Sequence, residues 1–531
     1  MNTLIQKPMV TVNALARWFS RLSFIDWPLL LAFGLPFGLY ILTLAPTVYN
    51  LDSAELTTAA ATGGLVRATG YPLYLLLGWL WPWLPVGDVG YRMNLFSAFN
   101  GALTVALASL ILRRWRVGLW AAVGALGLLA SAPFFWALSV IAEVYTLHTA
   151  LMAGLILLLL RWADHPTSLR LALVALLTGL SLGNHVATVL LLPGCAWYVL
   201  TVNPRRALSP RALGPTLLAF GLGLSIYLYL PWRYSANPAF NYAGHYDATG
   251  AFVPLNLQTP QGLWWLVTGR SFAGQMWAYQ GAELWIEISN YIVQLWRSFF
   301  AIGIGPGLMG LVLLLRRDWR LGGMLLLMFG FTAAFYIDYR VIDKDTMFLP
   351  TYLVWALWMG VGYQGVLDWI GSPGSSKWLA QTERWLFPGL IMAATMLAVG
   401  WNWRLADQSD DWSTRTRGEA ILEELQPNAL IFGWWQTVPI IEYLQLVEGQ
   451  RPDVKAINRF LIAPEDMRRL IQRELTRRPV YTDGSPPDLP NVEVKQVGPV
   501  FRLMLDEVEY VGQPTSAPEN SPLNSHFILS R

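Results

Sequence analysis

The sequence predicts an all-α multi-span membrane protein, with about 11 transmembrane helices and a small C-terminal α/β extracytoplasmic domain. Three observations predict it. Of 531 residues, 54% are hydrophobic and only 13% are charged, against roughly 25% charged in soluble domains. Apolar runs of about 18–22 residues recur, the length that crosses a hydrocarbon core of about 30 Å. Near residue 405 charges return, strand patterns read at 429–432 and 479–481, and helical ones at 437–447 and 465–477.

The spans follow from apolar length and from the arginines between them. Arg17 and Arg21 precede the first run, so segment 1–26 is expected in the cytoplasm. That run begins near Trp27 and is long, a retained helix rather than a cleaved signal. Span one, about 27–45, exits into an outer loop, 46–91. Span two, about 93–112, returns to Arg113, Arg114 and Arg116; span three, about 118–137, exits; span four descends from Glu143 to Arg161. Residues 170–202 are too long for one span: about 32 residues at 1.5 Å each reach about 48 Å. Two shorter helices meeting at Gly183-Asn184-His185 keep Arg205, Arg206 and Arg211 inside. Span seven, about 212–231, opens a second outer loop, 232–287. Span eight descends to Arg316-Arg317, span nine, about 321–337, exits, and span ten, about 347–367, returns. A Gly/Ser/Pro linker at 371–376 precedes span eleven, about 386–404. The membrane part is thus 27–404. The α/β domain is 405–531, with a mobile tail after Gln513.

Composition also excludes. The net charge of +3 comes from basic residues clustered in short loops, which reports topology rather than nucleic-acid binding. A single cysteine, Cys195, rules out an internal disulfide or a Cys-rich metal site.

This topology gathers the unusual polar groups on one side: Asp52, Glu55, Arg67, Arg92, Asn94, Glu143, His185, Asp343, Lys344 and Asp345. Acids beside spans usually line a cavity or pathway. A carboxylate in an outer-leaflet cleft can serve as general base to an acceptor hydroxyl. Arg and Lys can hold a leaving phosphate. Plainer roles stand beside these. Asp52 suits the cap of a helix starting at Ser53. Glu143 suits an interfacial ion pair, and His185 suits the freed backbone of a helix break. Asp343 and Asp345 suit ordinary loop charges, and Asp410, Asp411, Arg415 and Arg417 suit a solvated face.

An ordered set of motifs carries a resemblance: Pro46-Thr47-Val48, Asp52-Ser53-Ala54-Glu55, Gly70-Tyr71-Pro72-Leu73-Tyr74 and Arg92-Met93-Asn94-Leu95-Phe96-Ser97-Ala98. Ala142-Glu143-Val144-Tyr145, Leu182-Gly183-Asn184-His185, Leu230-Pro231-Trp232-Arg233 and Asp343-Lys344-Asp345 extend it, as do Leu425-Gln426-Pro427 and Arg451-Pro452-Asp453-Val454. Over about 45–460 the chain resembles the protein O-mannosyltransferase-like membrane proteins, a family similar to the GT-C glycosyltransferases. The resemblance implies a GT-C-like fold and inverting sugar transfer from a polyprenyl-phosphate sugar to a protein hydroxyl or cell-envelope glycan. Asp52, Glu55, Asp343 and Asp345 could by residue type hold a hard cation, but the resemblance implies Asp52 as base with Glu55 beside it, and no metal or other cofactor: the lipid-linked sugar is a co-substrate. Tyr71, Tyr145, Arg233 and Arg270 join the expected substrate side. The expected setting is the cell membrane with the site facing outward, and the oligomeric state is open. Where the family tends to show His-Pro-Pro before Gly-Tyr-Pro, this chain has Arg67-Ala68-Thr69. A transporter or flippase of a lipid-linked substrate, or an inactive relative, are the alternatives.

Overall fold

The computed structural model describes residues 26–370, 377–484 and 489–506, with the backbone alone for 377–385. The N-terminal segment 1–25, the 371–376 linker and the tail after Gln513 lie outside the described residues. The first helices are α1 (Trp27–Leu42), α2 (Asp52–Thr62), α3 (Pro72–Gly78), α4 (Val89–Arg114), α5 (Leu119–Ala130) and α6 (Val144–Asp164). Next come α7 (Ser168–Asn184), a 3₁₀ turn Val186–Leu191 running into α8 (Leu192–Val202), and α9 (Pro210–Leu224), prolonged to Ser235 by further helical turns. The chain therefore breaks at His185, where the length argument needs it.

Among the described residues, five helices are long and apolar enough to cross a bilayer: 89–114, 144–164, 210–235, 319–337 and 386–406. Shorter apolar helices flank them at 27–42, 119–130, 168–184 and 186–202. Leu217, Leu218 and Leu222 of α9 are well exposed, as an apolar face turned to lipid is. Side-chain contacts sort the helix ends into two groups. At one end Arg113 meets Asp26, Arg114 meets Asp164, Arg206 reaches the Pro166 carbonyl and Arg317 meets Asp368. This is the basic end of the bundle. The loops carrying Asp52 and Glu143 gather at the opposite, site end.

The second long loop holds a hairpin, β1 (Gly244–Tyr246) with β2 (Phe252–Pro254), and α10 (Pro260–Val267). The span expected to descend to Arg316 is instead two helices, α11 (Ala282–Ser298) and α12 (Ile304–Arg317). Tyr291 and Ser298, seven residues apart on α11, bond to the adjacent Thr351 and Tyr352. Seven residues of helix rise span about 10 Å, so α11 crosses the end of the next span but one rather than running beside it. After α13 (Trp319–Ile337), α14 (Leu349–Ile370) runs against α12 with backbones nearly touching. A Cβ on Gly310 would sit 1.8 Å from the Trp358 carbonyl, and one on Gly362 1.9 Å from that of Pro306. Small residues at such a crossing bring two helices close enough to pack without a hydrophobic drive.

Beyond α15 (Lys377–Ala406) comes α16 (Ser413–Glu424), then β3 (Leu430–Gly433), α17 (Val438–Leu446), β4 (Lys455–Asn458), α18 (Pro464–Glu474), β5 (Val480–Thr482), β6 (Val492–Val497) and β7 (Val500–Leu505). The sheet order is β4-β3-β5-β7-β6, parallel through β4-β3-β5 and antiparallel onward. This α/β unit sits on the site end. Val48 and Ala54 of the first loop share one buried apolar cluster with Ile421, Leu422, Ile440, Ile441 and Leu444. Arg415 binds Glu448 through two bonds of 2.7 and 2.6 Å and reaches Asp88, before α4, at 3.2 Å. The solvated face expected around Arg415 is therefore a junction between the two parts.

Candidate functional site

Asp52 opens α2. The helix starts one residue earlier than a cap at Asp52 requires, with Leu51 at the cap position and no side-chain capping bond. Its carboxylate faces the turn before α3 instead. There Gly70 (φ +84°) and Tyr71 (φ +40°) adopt left-handed backbone conformations, and Pro72 then starts α3 with its fixed φ. The turn carries Arg67 back over α2. Arg67 Nη2 donates to Asp52 Oδ1 at 2.5 Å, and its Nε lies 3.4 Å from Glu55 Oε2. The Arg67 amide donates to Glu55 Oε1 at 2.8 Å. Arg67 therefore binds both members of the acidic pair.

The C-terminal domain completes the cluster. Trp435, in the turn after β3, donates its indole N–H to Asp52 Oδ1 at 3.0 Å. The Arg67 guanidinium lies 4.1 Å over the Trp435 ring, a cation–π stack. Tyr242, from the second loop, packs edge-on to Trp435 at 5.2 Å and donates its hydroxyl to Glu442 of α17.

Two cavities meet at Arg67, Ala68 and Phe272. The smaller, about 290 Å³, is lined by Asp52, Tyr71, Tyr145, His185, Tyr336 and Asp343, with Leu190, Phe335 and Met347 toward the bundle. The larger, about 630 Å³, lies between the hairpin loop and the C-terminal domain, against Tyr242, His245, Asn256, Gln275, Trp435 and Phe460. His185 Nδ1 accepts from the Ala187 amide at 3.1 Å, which leaves the ring proton on Nε2. His185 thus serves the helix break and lines the cavity at once, with Tyr71 and Tyr145 rings at 5.8 and 5.7 Å.

Charge is unbalanced around Arg67. Burial pushes the Glu55 carboxyl up to about 8, with Arg67 opposing and Asp52 adding to the rise. Burial also raises Asp343, and Asp52 adds to it. Glu143, just before α6, is raised well above the usual carboxylate range by burial, then by Asp52 and Asp343. Low-dielectric surroundings with several acids about one cation favour protonation of some of them. Among the described residues, no three His, Cys, Asp or Glu side chains converge as metal ligands would.

The structure thus brings Asp52, Glu55, Arg67, Tyr71, Tyr145, His185 and Asp343 together, with Glu143 within their electrostatic reach. Six expected residues stand elsewhere. The Arg92 guanidinium donates to the carbonyls of Pro82, Val86 and Gly87 and holds that turn. Asn94 is fully buried and donates to the Ala45 and Thr47 carbonyls. Arg233 Nε donates to the carbonyl of Gly63, the residue that ends α2. Lys344 pairs with Glu287 and lies 4.4 Å over the Tyr279 ring. The Asp345 carbonyl accepts from Gln294, and Asp345 lines neither cavity. Arg270 is exposed beside the cavity residues Ser271 and Phe272 and lines neither cavity itself. Trp435, Tyr242, Glu442 and Phe272 escaped the sequence reading. One signal was present: Trp434-Trp435 follows a fully buried strand, and turns at the carboxyl ends of parallel strands are where α/β units place ligands.

The family model described as Protein O-mannosyl-transferase TMEM260 N-terminal domain matches residues 52–208, beginning at Asp52 itself. The protein O-mannosyl-transferase tmem260 of Dictyostelium discoideum is 23% identical over 462 residues, covering 79% of this chain and 55% of the relative. The Mus musculus protein O-mannosyl-transferase TMEM260 is 30% identical over 200 residues, covering 36% of this chain and 28% of the relative. The matched region spans about half or less of these relatives. ArnT from Cupriavidus metallidurans superposes with a TM-score of 0.56 in the apo state, at 14% identity over 94% of this chain and 100% of that one. Its structure bound to undecaprenyl phosphate gives 0.55, at 13% identity over 95% and 100%. Residues 52–208 are therefore similar to the N-terminal domain of the TMEM260 protein O-mannosyl-transferases, and over nearly its whole length the chain shares the fold of ArnT.

Proposed function

We propose that the chain is an integral-membrane glycosyltransferase. It moves a sugar from a polyprenyl-phosphate carrier to an acceptor hydroxyl with inversion, and Asp52 is the general base. The observation that carries this reading is the placement of Asp52 and Arg67. A carboxylate and a guanidinium stand together where a smaller cavity, running toward Leu190, Phe335 and Met347 of the bundle, meets a larger one against the C-terminal domain. A lipid-linked donor needs the first kind of space and a hydroxyl-bearing acceptor the second. Arg67 is the cation placed to meet the donor phosphate, a role for which guanidinium geometry is suited. It stands where the family tends to carry His-Pro-Pro, so the substitution supplies a phosphate contact. The likeness to an ArnT structure bound to undecaprenyl phosphate supports a polyprenyl carrier. Eleven spans with the basic end in the cytoplasm follow the positive-inside rule, and they put Asp52 and the C-terminal domain on the extracytoplasmic side. Transfer needs no metal in this scheme.

The test is sugar transfer by purified protein with a panel of polyprenyl-phosphate sugars, scored against Asp52→Asn. Loss of a positioned base lowers the rate by about 10²–10⁴-fold, with membrane insertion and thermal midpoint retained. Wild-type turnover that persists in the variant removes Asp52 from the role. A folded wild-type protein inert toward every donor favours the inactive-relative reading, for which the Arg67–Asp52 ion pair supplies a reason.

A further inference from the structure

We propose that Trp435 of the C-terminal domain is a positioning residue of the transfer site, one that selects which oxygen of Asp52 faces substrate. The inference rests on the reading of Asp52 as base and extends it to a second domain. Both donors to this carboxylate, Arg67 Nη2 at 2.5 Å and Trp435 Nε1 at 3.0 Å, bind Oδ1. No donor among the described residues reaches Oδ2. A carboxylate anchored through one oxygen presents the other in a fixed direction, and Oδ2 is left to take a proton. The same indole carries the Arg67 guanidinium on its face at 4.1 Å. One side chain therefore orients both the anion and the cation of the pair, and it also walls the larger cavity.

Trp435 is itself held. It is 7% exposed, packed edge-on against Tyr242 at 5.2 Å and Phe460 at 5.8 Å. Tyr242 is fixed in turn by its hydroxyl bond to Glu442. Each residue of this frame except Tyr242 comes from the C-terminal domain, so the geometry at Asp52 depends on how that domain is docked. Trp435 touches no reacting atom and moves no proton.

The experiment compares Trp435→Phe and Trp435→Ala with the wild type, using full-length protein in lipid nanodiscs and a polyprenyl-phosphate sugar that the wild type turns over. Phe keeps the ring and the stack but removes the N–H. The expected result is a kcat about 10- to 100-fold lower, the scale of a misplaced catalytic group, with donor KM and thermal midpoint unchanged. Ala also removes the platform under Arg67, and donor KM rises several-fold in addition. Trp435→Phe turning over at the wild-type rate overturns the proposal. So does a Phe variant whose loss tracks a lowered thermal midpoint. If the wild type turns over no donor, the transferase reading itself fails and this one falls with it.

Discussion

Arg415→Met tests whether the C-terminal domain is clamped onto the bundle by charge. Arg415 is 20% exposed and bonds Glu448, Glu419 and Asp88. Each acid loses a different amount. Glu419, 43% exposed, resolvates. Asp88 keeps the Tyr91 amide at 2.7 Å and the Thr47 hydroxyl. Glu448, 19% exposed, retains only the Gln450 side-chain amide at 3.1 Å among the described residues. The cost therefore falls mainly on Glu448. Losing hydrogen bonds to a charged group costs about 1.5–3 kcal/mol, and partial exposure discounts the Coulombic part. A net loss of about 2–3 kcal/mol makes the undocked state about 30- to 150-fold more populated, since 1.4 kcal/mol is tenfold. The assay is amide hydrogen exchange in α17 and at 89–92, where the Gly90 amide donates to the Tyr443 hydroxyl across the junction at 3.2 Å. Both segments should exchange faster in the variant. Arg417→Met, an exposed neighbour on α16, should leave them unchanged. Wild-type exchange at both segments in Arg415→Met would refute the clamp.

Two further predictions concern protons and packing. Burial lifts Glu442 from 4.5 to about 8, so between those values the folded state binds more protons than the unfolded one. Its contribution to stability is present below about 4.5 and is lost as pH rises through about 8. Thermal midpoints measured from pH 5 to 9 should show this decline, and Glu442→Gln should flatten part of it. Gly310→Ala should force α12 away from α14, because its Cβ meets backbone rather than a movable side chain. A cost of about 1–3 kcal/mol is expected, read as a lower thermal midpoint in detergent. Gly214→Ala, where a Cβ meets nothing within 4 Å, is the control and should not lower it.

The bundle was legible because apolar length and arginine placement are properties of contiguous sequence. The break at His185 came from the length of the 170–202 stretch and from the arginines that follow it. Elements stabilised from outside their own stretch were harder to see. Strand β6 reads Val-Glu-Val-Lys-Gln-Val and is mostly exposed, so it carries little apolar signal. Helix α11 has apolar residues enough to pass for part of a span, yet Glu283 and Glu287 on it pair with Arg340 and Lys344. At the site, Asp52, Glu55 and Arg67 lie within one loop, and their chemistry could be read together. Trp435 lies 383 residues from Asp52, and only domain docking joins them. Arg92, Asn94 and Arg233 show the converse. A guanidinium or amide near a span end also satisfies stray carbonyls, and residue type alone does not separate that duty from ligand contact.

Arg67 is a wall of both cavities, so any occupant of one that moves it would change the wall met by an occupant of the other. An anionic group in the smaller cavity draws the guanidinium toward itself. The larger cavity then gains or loses a charged wall and an uncovered indole face. Whatever factor one occupant applies to the other's equilibrium affinity is returned in full, because linkage between two sites is reciprocal. Order of binding therefore becomes a matter of rates and concentrations rather than of architecture. Under the proposed function, a carrier phosphate left behind after transfer would keep its hold on the same side chain, and product departure and the next loading would act through a single shared degree of freedom.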